Sequence, residues 1–478
     1  MSAPTTTPTI IEALATMAAG PVPSDVIRAV PSRVIDIVGI AARATTLDTS
    51  AAVVGFSIDQ QTAPRATAIG AEPAMSAAEA AFVNGVLAHS LDYDDTHLPS
   101  ILHPSASVVP AALATAEHAG ADGATTAAAI AVGLEVAVRL GMGGYDTEGR
   151  QSIYFERGQH ATSICGAIGS AAAAARILSG ESEAFIGHAM GIAASMASGI
   201  IEANRAGGTV KRLHCGWAAR SGVTAAQLAI AGLTGPPTAI EGRFGLYSAF
   251  LGDEGNVDAT VDRIGEHWES QRIFIKPYPA NHFTHTAIDA AIALREAGVR
   301  PDDIASATLM VAAPTVRTIG DPLPTKQRPE TGYQAQFSGP YAVAAGLIGG
   351  GGLGLGLADF TDALAVDPQH RALMAKINVV GDRTLDEIYP FQFPCRLQVT
   401  TTDGSQHQCD VLTNRGGPER PLSVDELARK FSDNVEELLP PAAIEQLTEG
   451  LASFTTVPSI TSVLSPLGRI TTRIESTA

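Results

Sequence analysis

A chain of 478 residues with 45% apolar, 17% charged and 5% aromatic side chains is long enough for two domains around a large, finely divided core. Its net charge of −18 excludes nucleic acid and an anionic membrane as partners, since both demand a concentrated basic surface, but it leaves room for a small anionic ligand. Cys165, Cys215, Cys395 and Cys409 lie far apart with no Cys-x-x-Cys pair, which excludes a disulfide framework or a zinc knuckle and leaves ordinary reduced thiols.

The first residues are Ser, Thr and Pro, with no basic stretch leading into an apolar one, so no secretory leader is expected and the cytoplasm is the expected compartment. From 8 to 235, apolar helical stretches alternate with short Gly, Pro and Asp breaks, and the excess of Ala and Gly lets helix axes approach closely. Ser76-Ala-Ala-Glu79 forms a capping box that opens a helix over 76–90. The stretch His89-Ser-Leu-Asp-Tyr-Asp-Asp-Thr-His-Leu-Pro-Ser-Ile-Leu-His103 then packs Asp92, Asp94, Asp95, Thr96, His97 and His103 between two apolar helices. So many titratable groups at a helix break serve more than packing.

Pro104 suits the first turn of the next helix, and helices are predicted over 122–140 and 181–198, with Gly180 as a stop before the latter. The apolar run 158–180 reads as a buried helix, its uninterrupted part being shorter than a bilayer core. At its start, Gly158-Gln-His160-Ala-Thr-Ser163 sets a histidine and two hydroxyls where free N–H groups favour an anion. Gly207-Gly-Thr-Val-Lys211-Arg212-Leu-His214 is a glycine turn that delivers basic groups to the start of another helix ending its first turns at Arg220. Lysine is scarce, being confined to Lys211, Lys276, Lys326, Lys376 and Lys430, so a lysine in apolar surroundings stands out.

After about 265 the pattern changes to α+β. Strands are predicted at 307–313, 375–380 and 395–401, helices at 284–297 and 340–348, and Asp403-Gly404 is a hairpin turn. Phe274-Ile-Lys276-Pro-Tyr-Pro-Ala-Asn281-His282-Phe-Thr-His285 adds further basic groups, with His282 and His285 placed at a helix start where capping is the default role. Gly349 to Gly356 and Gly141-Met-Gly-Gly144 complete neither a dinucleotide turn nor a Walker loop. Ser423-Val-Asp-Glu426 caps another helix, and the tail from Ala442 is helical and returns to the first domain. The fold expected is a large all-helical domain, 1–265 completed by about 415–478, with a smaller α+β domain at 266–414.

Asn84-Gly-x-x-x-His-Ser-Leu-Asp-Tyr-Asp-Asp-Thr-His, Val210-Lys-Arg-Leu-His-x-Gly-Trp-Ala-Ala-Arg220, Lys276-Pro-Tyr-Pro, Phe337-Ser-Gly-Pro-Tyr341 and Gly417-Pro-Glu-Arg-Pro-Leu422 together resemble the MmgE/PrpD family, in family order and over nearly the whole chain. The resemblance implies a cofactor-free enzyme, a site between a helical and an α+β domain, and a homodimer. It carries the family's active-site residues onto Asp92, Thr96, His103, His160, Lys211, Lys276 and Tyr341. His214, Arg220 and Asn281 join them as substrate-binding candidates.

Removing a proton beside a carboxylate, or losing CO2 there, builds charge that fixed cations and a proton carrier must meet. His103 is expected to exchange the proton, with Asp92 orienting it or holding its charge. Lys211, His160 and Lys276 would bind carboxylates, and Thr96 and Tyr341 would donate hydrogen bonds. The reading is a lyase acting on a small di- or tricarboxylate, first a 2-methylcitrate dehydratase-like enzyme, with a cis-aconitate decarboxylase-like or iminodisuccinate epimerase-like activity as the alternative. Asp92-Tyr-Asp-Asp-Thr96 and Leu102-His103-Pro-Ser-Ala depart from the Asp-Phe-Asn-Asp-Thr and Trp-Gly-His-Pro-Ser-Asp runs of 2-methylcitrate dehydratases, and Asn281 stands where relatives often carry Cys or His. A metal-dependent hydrolase is a remote alternative, because Asp92, Asp94, Asp95, His97 and His103 offer ligand types without a completing His-x-x-x-His or carboxylate set. His89, one turn before Asp92 in an apolar helix, reads as a core or supporting histidine, and His97 and Asp94 read equally as loop caps.

Overall fold

The computed structural model describes residues 7–47, 50, 54, 66–72, 74–203 and 208–470. Gly207, the first glycine of the turn before Lys211, lies outside the described residues. Two compact units emerge, Met1–Ile273 with Asn434–Ala478, and Phe274–Asp433. Both breaks come later than the 265/266 and 414/415 positions expected from composition. The reason is local: Ile275 N donates to Gly416 O at 3.0 Å and Lys430 Nζ to Lys276 O at 2.9 Å, which ties the 415–430 segment into the second unit.

The first unit is a helical stack, of which the principal members are α1 (Ile10–Ala19), α2 (Ser24–Ala44), α3 (Ala77–Ala88), α4 (Ser105–Ala119), α5 (Gly123–Met142), α6 (Ala161–Ser179), α7 (Glu183–Met196) and α8 (Leu213–Ile230). Local chemistry sets their ends. Ser76 Oγ accepts from Glu79 N at 3.3 Å to start α3, Asp122 Oδ1 accepts from Thr125 N at 2.8 Å to start α5, and Gly180 ends α6 in the left-handed region at φ 61°. α6 is the central member, packed by α4, α5, α7 and α8.

Small residues make that density possible. A Cβ on Gly216 of α8 would lie 2.4 Å from the carbonyl oxygen of Phe82 in α3, and one on Gly85 of α3 would lie 2.8 Å from Gly216 Cα. Gly133 of α5 and Gly169 of α6 meet in the same way, each a Cβ length from the other's carbonyl oxygen at 2.7 and 2.4 Å. These crossings are backbone on backbone, which explains the alanine- and glycine-rich composition of the helices.

α5 and α6 are both long and apolar enough to cross a membrane, contrary to the expectation that the 158–180 run falls short. Burial accounts for their composition instead: 83% and 94% of their most apolar stretches are enclosed by the rest of the fold.

The second unit carries a four-stranded sheet of β1 (Ile304–Val311), β2 (Ile377–Gly381), β3 (Cys395–Thr401) and β4 (Gln406–Val411), in the order β2-β1-β3-β4. β1 runs parallel to β2, with Leu309 opposite Val379, and antiparallel to β3, with Leu309 opposite Leu397. The β3–β4 hairpin turns at Asp403-Gly404, where Gly404 has φ 86°. α9 (His285–Glu296) and α10 (Gly339–Ile348) share an apolar core with the sheet through Ile288, Ala291, Ala344, Leu309 and Leu397. The Gly349 to Gly356 run is a loop around a carboxylate, with Gly351 N and Gly356 N donating to Asp359 Oδ2 at 2.8 and 2.7 Å.

Ser423 and Glu426 form the expected reciprocal cap at 2.7 and 3.2 Å, opening α11 (Val424–Val435). α12 (Pro441–Ala452) then packs on α2 in the first unit.

Gly216→Ala is expected to lower the thermal unfolding midpoint, since overpacking costs about 1–3 kcal/mol and the opposing atoms are backbone. Gly187→Ala in α7 is expected to raise it slightly, because its Cβ would meet only Ile11 and Ala15 at 3.6 and 3.7 Å and alanine is the better helix former. Differential scanning calorimetry of the two variants checks the contrast; equal effects would contradict the close-crossing account.

Candidate active site

Three helix termini of the first unit converge with the loop between α3 and α4. His89 caps the C-terminus of α3, His160 stands at the N-cap of α6, and Lys211 and His214 lie at the start of α8. The loop is folded back on itself by the His97 N to Leu102 O bond at 2.8 Å and its return at 3.3 Å. Asp92 takes a left-handed backbone, φ 52°, at its entrance, a conformation that aspartate tolerates better than most side chains. Asp95 anchors the exit: its carboxylate accepts from Ser105 N at 3.2 Å and from the Ser105 hydroxyl, capping α4. Burial pushes the Asp95 carboxyl up to about 7, against the Ser105 hydrogen bond and the charge of Arg33.

His103 is the half-buried member of the group. Its Nδ1 lies 2.6 Å from the Asp95 backbone carbonyl and 3.4 Å from Thr96 Oγ1, and its backbone N donates to Thr162 Oγ1 at 3.2 Å. A carbonyl only accepts, so Nδ1 carries the proton there and Nε2 is the basic nitrogen of the neutral ring. That tautomer lets Nε2 accept a proton and, once protonated, return it.

His103 has two further rings in its company through His89: the His89 centroid is 5.3 Å from His103 and 5.7 Å from His160. His160 Nδ1 and His214 Nδ1 meet at 2.8 Å, an arrangement in which one ring donates and the other accepts, so the pair shares a single Nδ1 proton. Burial, with His89, His214 and Lys211 nearby, drives His160 well below the usual histidine range. Burial, with His89 and Lys211, pushes His214 down to about 4. Both rings are therefore neutral at pH 7. Lys211 Nζ lies 3.2 Å from Asp92 Oδ1, and Arg212 Nε donates to Ser90 O at 3.2 Å, which pins the start of α8 to the loop.

The structure thus brings together Asp92, Thr96, His103, His160, Lys211 and His214. Arg220 stands elsewhere. It pairs with Glu79 at 2.6 Å and lies over the rings of Phe82 and Trp217. Glu79 is in the first turn of α3, about 15 Å along the helix from His89 at 1.5 Å per residue. An arginine paired to a buried carboxylate is the plain description of Arg220. His97 is likewise committed to the loop, with Nδ1 2.7 Å from Ser100 Oγ.

The remaining candidates belong to the second unit. Lys276 is fully buried, and its carbonyl accepts from Lys430. Asn281 Oδ1 caps a short 3-10 turn by accepting from Phe283 N at 3.1 Å. Tyr341 donates its hydroxyl to Asp359 O at 2.5 Å and stacks on His370 at 5.5 Å, and burial raises its phenol above the ordinary range. His282 and His285 stack on each other at 4.4 Å. Among the described residues no group of three or more His, Cys, Asp or Glu side chains is arranged to hold a metal ion.

Sequence reasoning set aside one residue that the structure brings into the cluster, His89. Its Nδ1 lies 2.7 Å from Asp94 Oδ2, with both side chains fully buried. The available signal was the pairing of a helix-terminal histidine with an aspartate five positions on, across the helix end.

The MmgE/PrpD N-terminal domain matches residues 9–257 and the MmgE/PrpD C-terminal domain residues 278–452. The chain belongs to the MmgE/PrpD family, and it is an enzyme of the lyase class. It is 31% identical over 378 residues to the cis-aconitate decarboxylase of Homo sapiens, a match that covers 77% of this chain and 74% of the relative. The mouse enzyme of the same name is 31% identical over 386 residues, with the same coverage of 77% and 74%. The cis-aconitate decarboxylase of Aspergillus terreus strain NIH 2624 / FGSC A1156 is 23% identical over 473 residues, covering 94% of this chain and 93% of the relative.

The depressed His214 has a consequence for stability. In the unfolded chain a histidine protonates near pH 6.5, whereas in the folded protein His214 does so at about 4. The unfolded state binds more protons between those values, so His214 makes stability fall as pH drops from about 6.5 towards 4. His214→Gln is expected to flatten that part of the stability–pH curve, as read by denaturant unfolding at a series of pH values. An unchanged slope would contradict the assignment.

Proposed function

We propose that the protein is a cofactor-independent carboxy-lyase that acts on cis-aconitate. The observation that carries the reading is the 31% identity, over about three quarters of both chains, to cis-aconitate decarboxylases. It displaces the 2-methylcitrate dehydratase reading, with which the loop sequence Asp92-Tyr-Asp-Asp-Thr96 already disagreed.

The chemistry suits the side chains. cis-Aconitate is a tricarboxylate in which a carboxylated CH2 group adjoins a C=C bond. When CO2 leaves the CH2 group, the released electron pair forms a new terminal C=C bond, and the old double bond takes one proton at its far carbon. Charge is conserved when a trianion and a proton become a dianion and CO2. The site must therefore hold carboxylates and deliver one proton to carbon. His103 takes up a proton from solvent at Nε2 and passes it to the ligand carbon, with its ring orientation fixed by the Asp95 carbonyl at Nδ1. Lys211, kept charged and placed by Asp92, attracts a carboxylate, and Thr96 donates a hydrogen bond. The neutral His160–His214 pair offers uncharged donors beside the cations. Lys276 and Tyr341 are further candidates on the family resemblance.

Purified, chelator-treated protein is expected to release CO2 from cis-aconitate and to yield a dicarboxylate with a terminal CH2= group, followed by proton NMR. Hydration, epimerisation or no reaction, with citrate, 2-methylcitrate and iminodisuccinate run alongside, would overturn the reading. His103→Ala is expected to lower kcat about 10²- to 10⁴-fold in a protein that still melts cooperatively. Full activity in that variant would remove His103 from the proton transfer.

A further inference from the structure

His89 is held as a binding group would be held. Its side chain is fully buried, and Nδ1 meets the fully buried Asp94 carboxylate at 2.7 Å. A carboxylate requires a donor, so Nδ1 carries a proton and points it at Asp94. The other ring nitrogen, Nε2, is buried and has no hydrogen-bond partner among the described residues. A histidine that merely fills a core has its polar atoms paired, because an orphaned buried donor forfeits its hydration without return. The ring that carries it lies beside the proton-transfer cluster, its centroid 5.3 Å from that of His103 and 5.7 Å from that of His160.

We propose that His89 is a further substrate-binding residue, whose Nε2–H donates to a carboxylate of the bound polycarboxylate, and that Asp94 positions the ring through Nδ1. The assignment rests on the site reading given under the proposed function. It adds a second donor to Lys211, so that two carboxylates of one ligand are met by different groups of the cluster. The neutral His160–His214 pair fits this division, since His89 and Lys211 are among the groups that keep those rings unprotonated.

The test uses the full-length protein with nitrogen-labelled histidine and tricarballylate, the saturated tricarboxylate, as probe. His89→Gln identifies the His89 signals by their disappearance. Addition of tricarballylate is expected to shift the His89 Nε2 signal in the wild type. In the same account H89Q raises KM for cis-aconitate about 10- to 100-fold, the worth of a charge-assisted hydrogen bond, with a smaller change in kcat. Asp94→Asn keeps the ring, removes the carboxylate that orients it, and raises KM in the same direction, which guards against H89Q failing to fold. The inference is overturned if tricarballylate moves other histidine signals and leaves His89 unmoved, or if it moves none. A His89 response in a protein that releases no CO2 would instead support this inference and contradict the proposed reaction.

Discussion

Close backbone contact between helices is the constraint on which the site depends. Where Gly216 of α8 meets Phe82 and Val86 of α3, the axes approach to a separation that any Cβ would forbid. The Gly133–Gly169 crossing does the same for α5 and α6. Interiors are packed as densely as organic crystals, so such contacts fix position rather than merely favour it. One end of each helix is thereby placed: the C-terminus of α3 with His89, and the N-termini of α6 and α8 with His160, Lys211 and His214. The α3–α4 loop needs only to span the gap between these ends, and its own hydrogen bonds at Asp95, Ser105 and Thr162 hold His103 there.

Electrostatics follow from that enclosure. Burial makes the charged forms of His160 and His214 costly, and both rings stay neutral at pH 7. His89 sits against Asp94 and Lys211 against Asp92, so two aspartates of one short loop hold two basic side chains in place. A protein with an overall charge of −18 thus gathers basic side chains, each set against an acidic or neutral partner, in one place. The acidic surface and this cluster are separate matters: the first concerns solubility, the second recognition.

Much of this was legible in the sequence. Period and capping residues placed α3, α5, α7, α9, α10 and the three long strands, because each is bounded by a residue whose side chain or backbone makes a local hydrogen bond. The loop from Asp92 to His103 announced itself by concentrating titratable groups at a helix break. The partnerships were not legible, because they join residues far apart in the chain. Nothing in the local pattern says that His160 faces His214, that Asp92 takes Lys211, or that Arg220 goes to Glu79 at the far end of α3. The role of His89 was missed for the same reason: an apolar helix gives a histidine the look of core, and only the fold shows which ring nitrogen is left over. The unit boundaries also came late, since composition does not reveal that the 415–430 segment bonds back to Ile275 and Lys276.

The central claim is that these helix ends form one carboxylate-binding, proton-transferring site. A crystal structure of the full-length protein with tricarballylate bears on it most directly. The account predicts carboxylate oxygens within about 3.2 Å of Lys211 Nζ and His89 Nε2, with a ligand carbon facing His103 Nε2. Tricarballylate bound at another surface, with this cluster untouched, would contradict it.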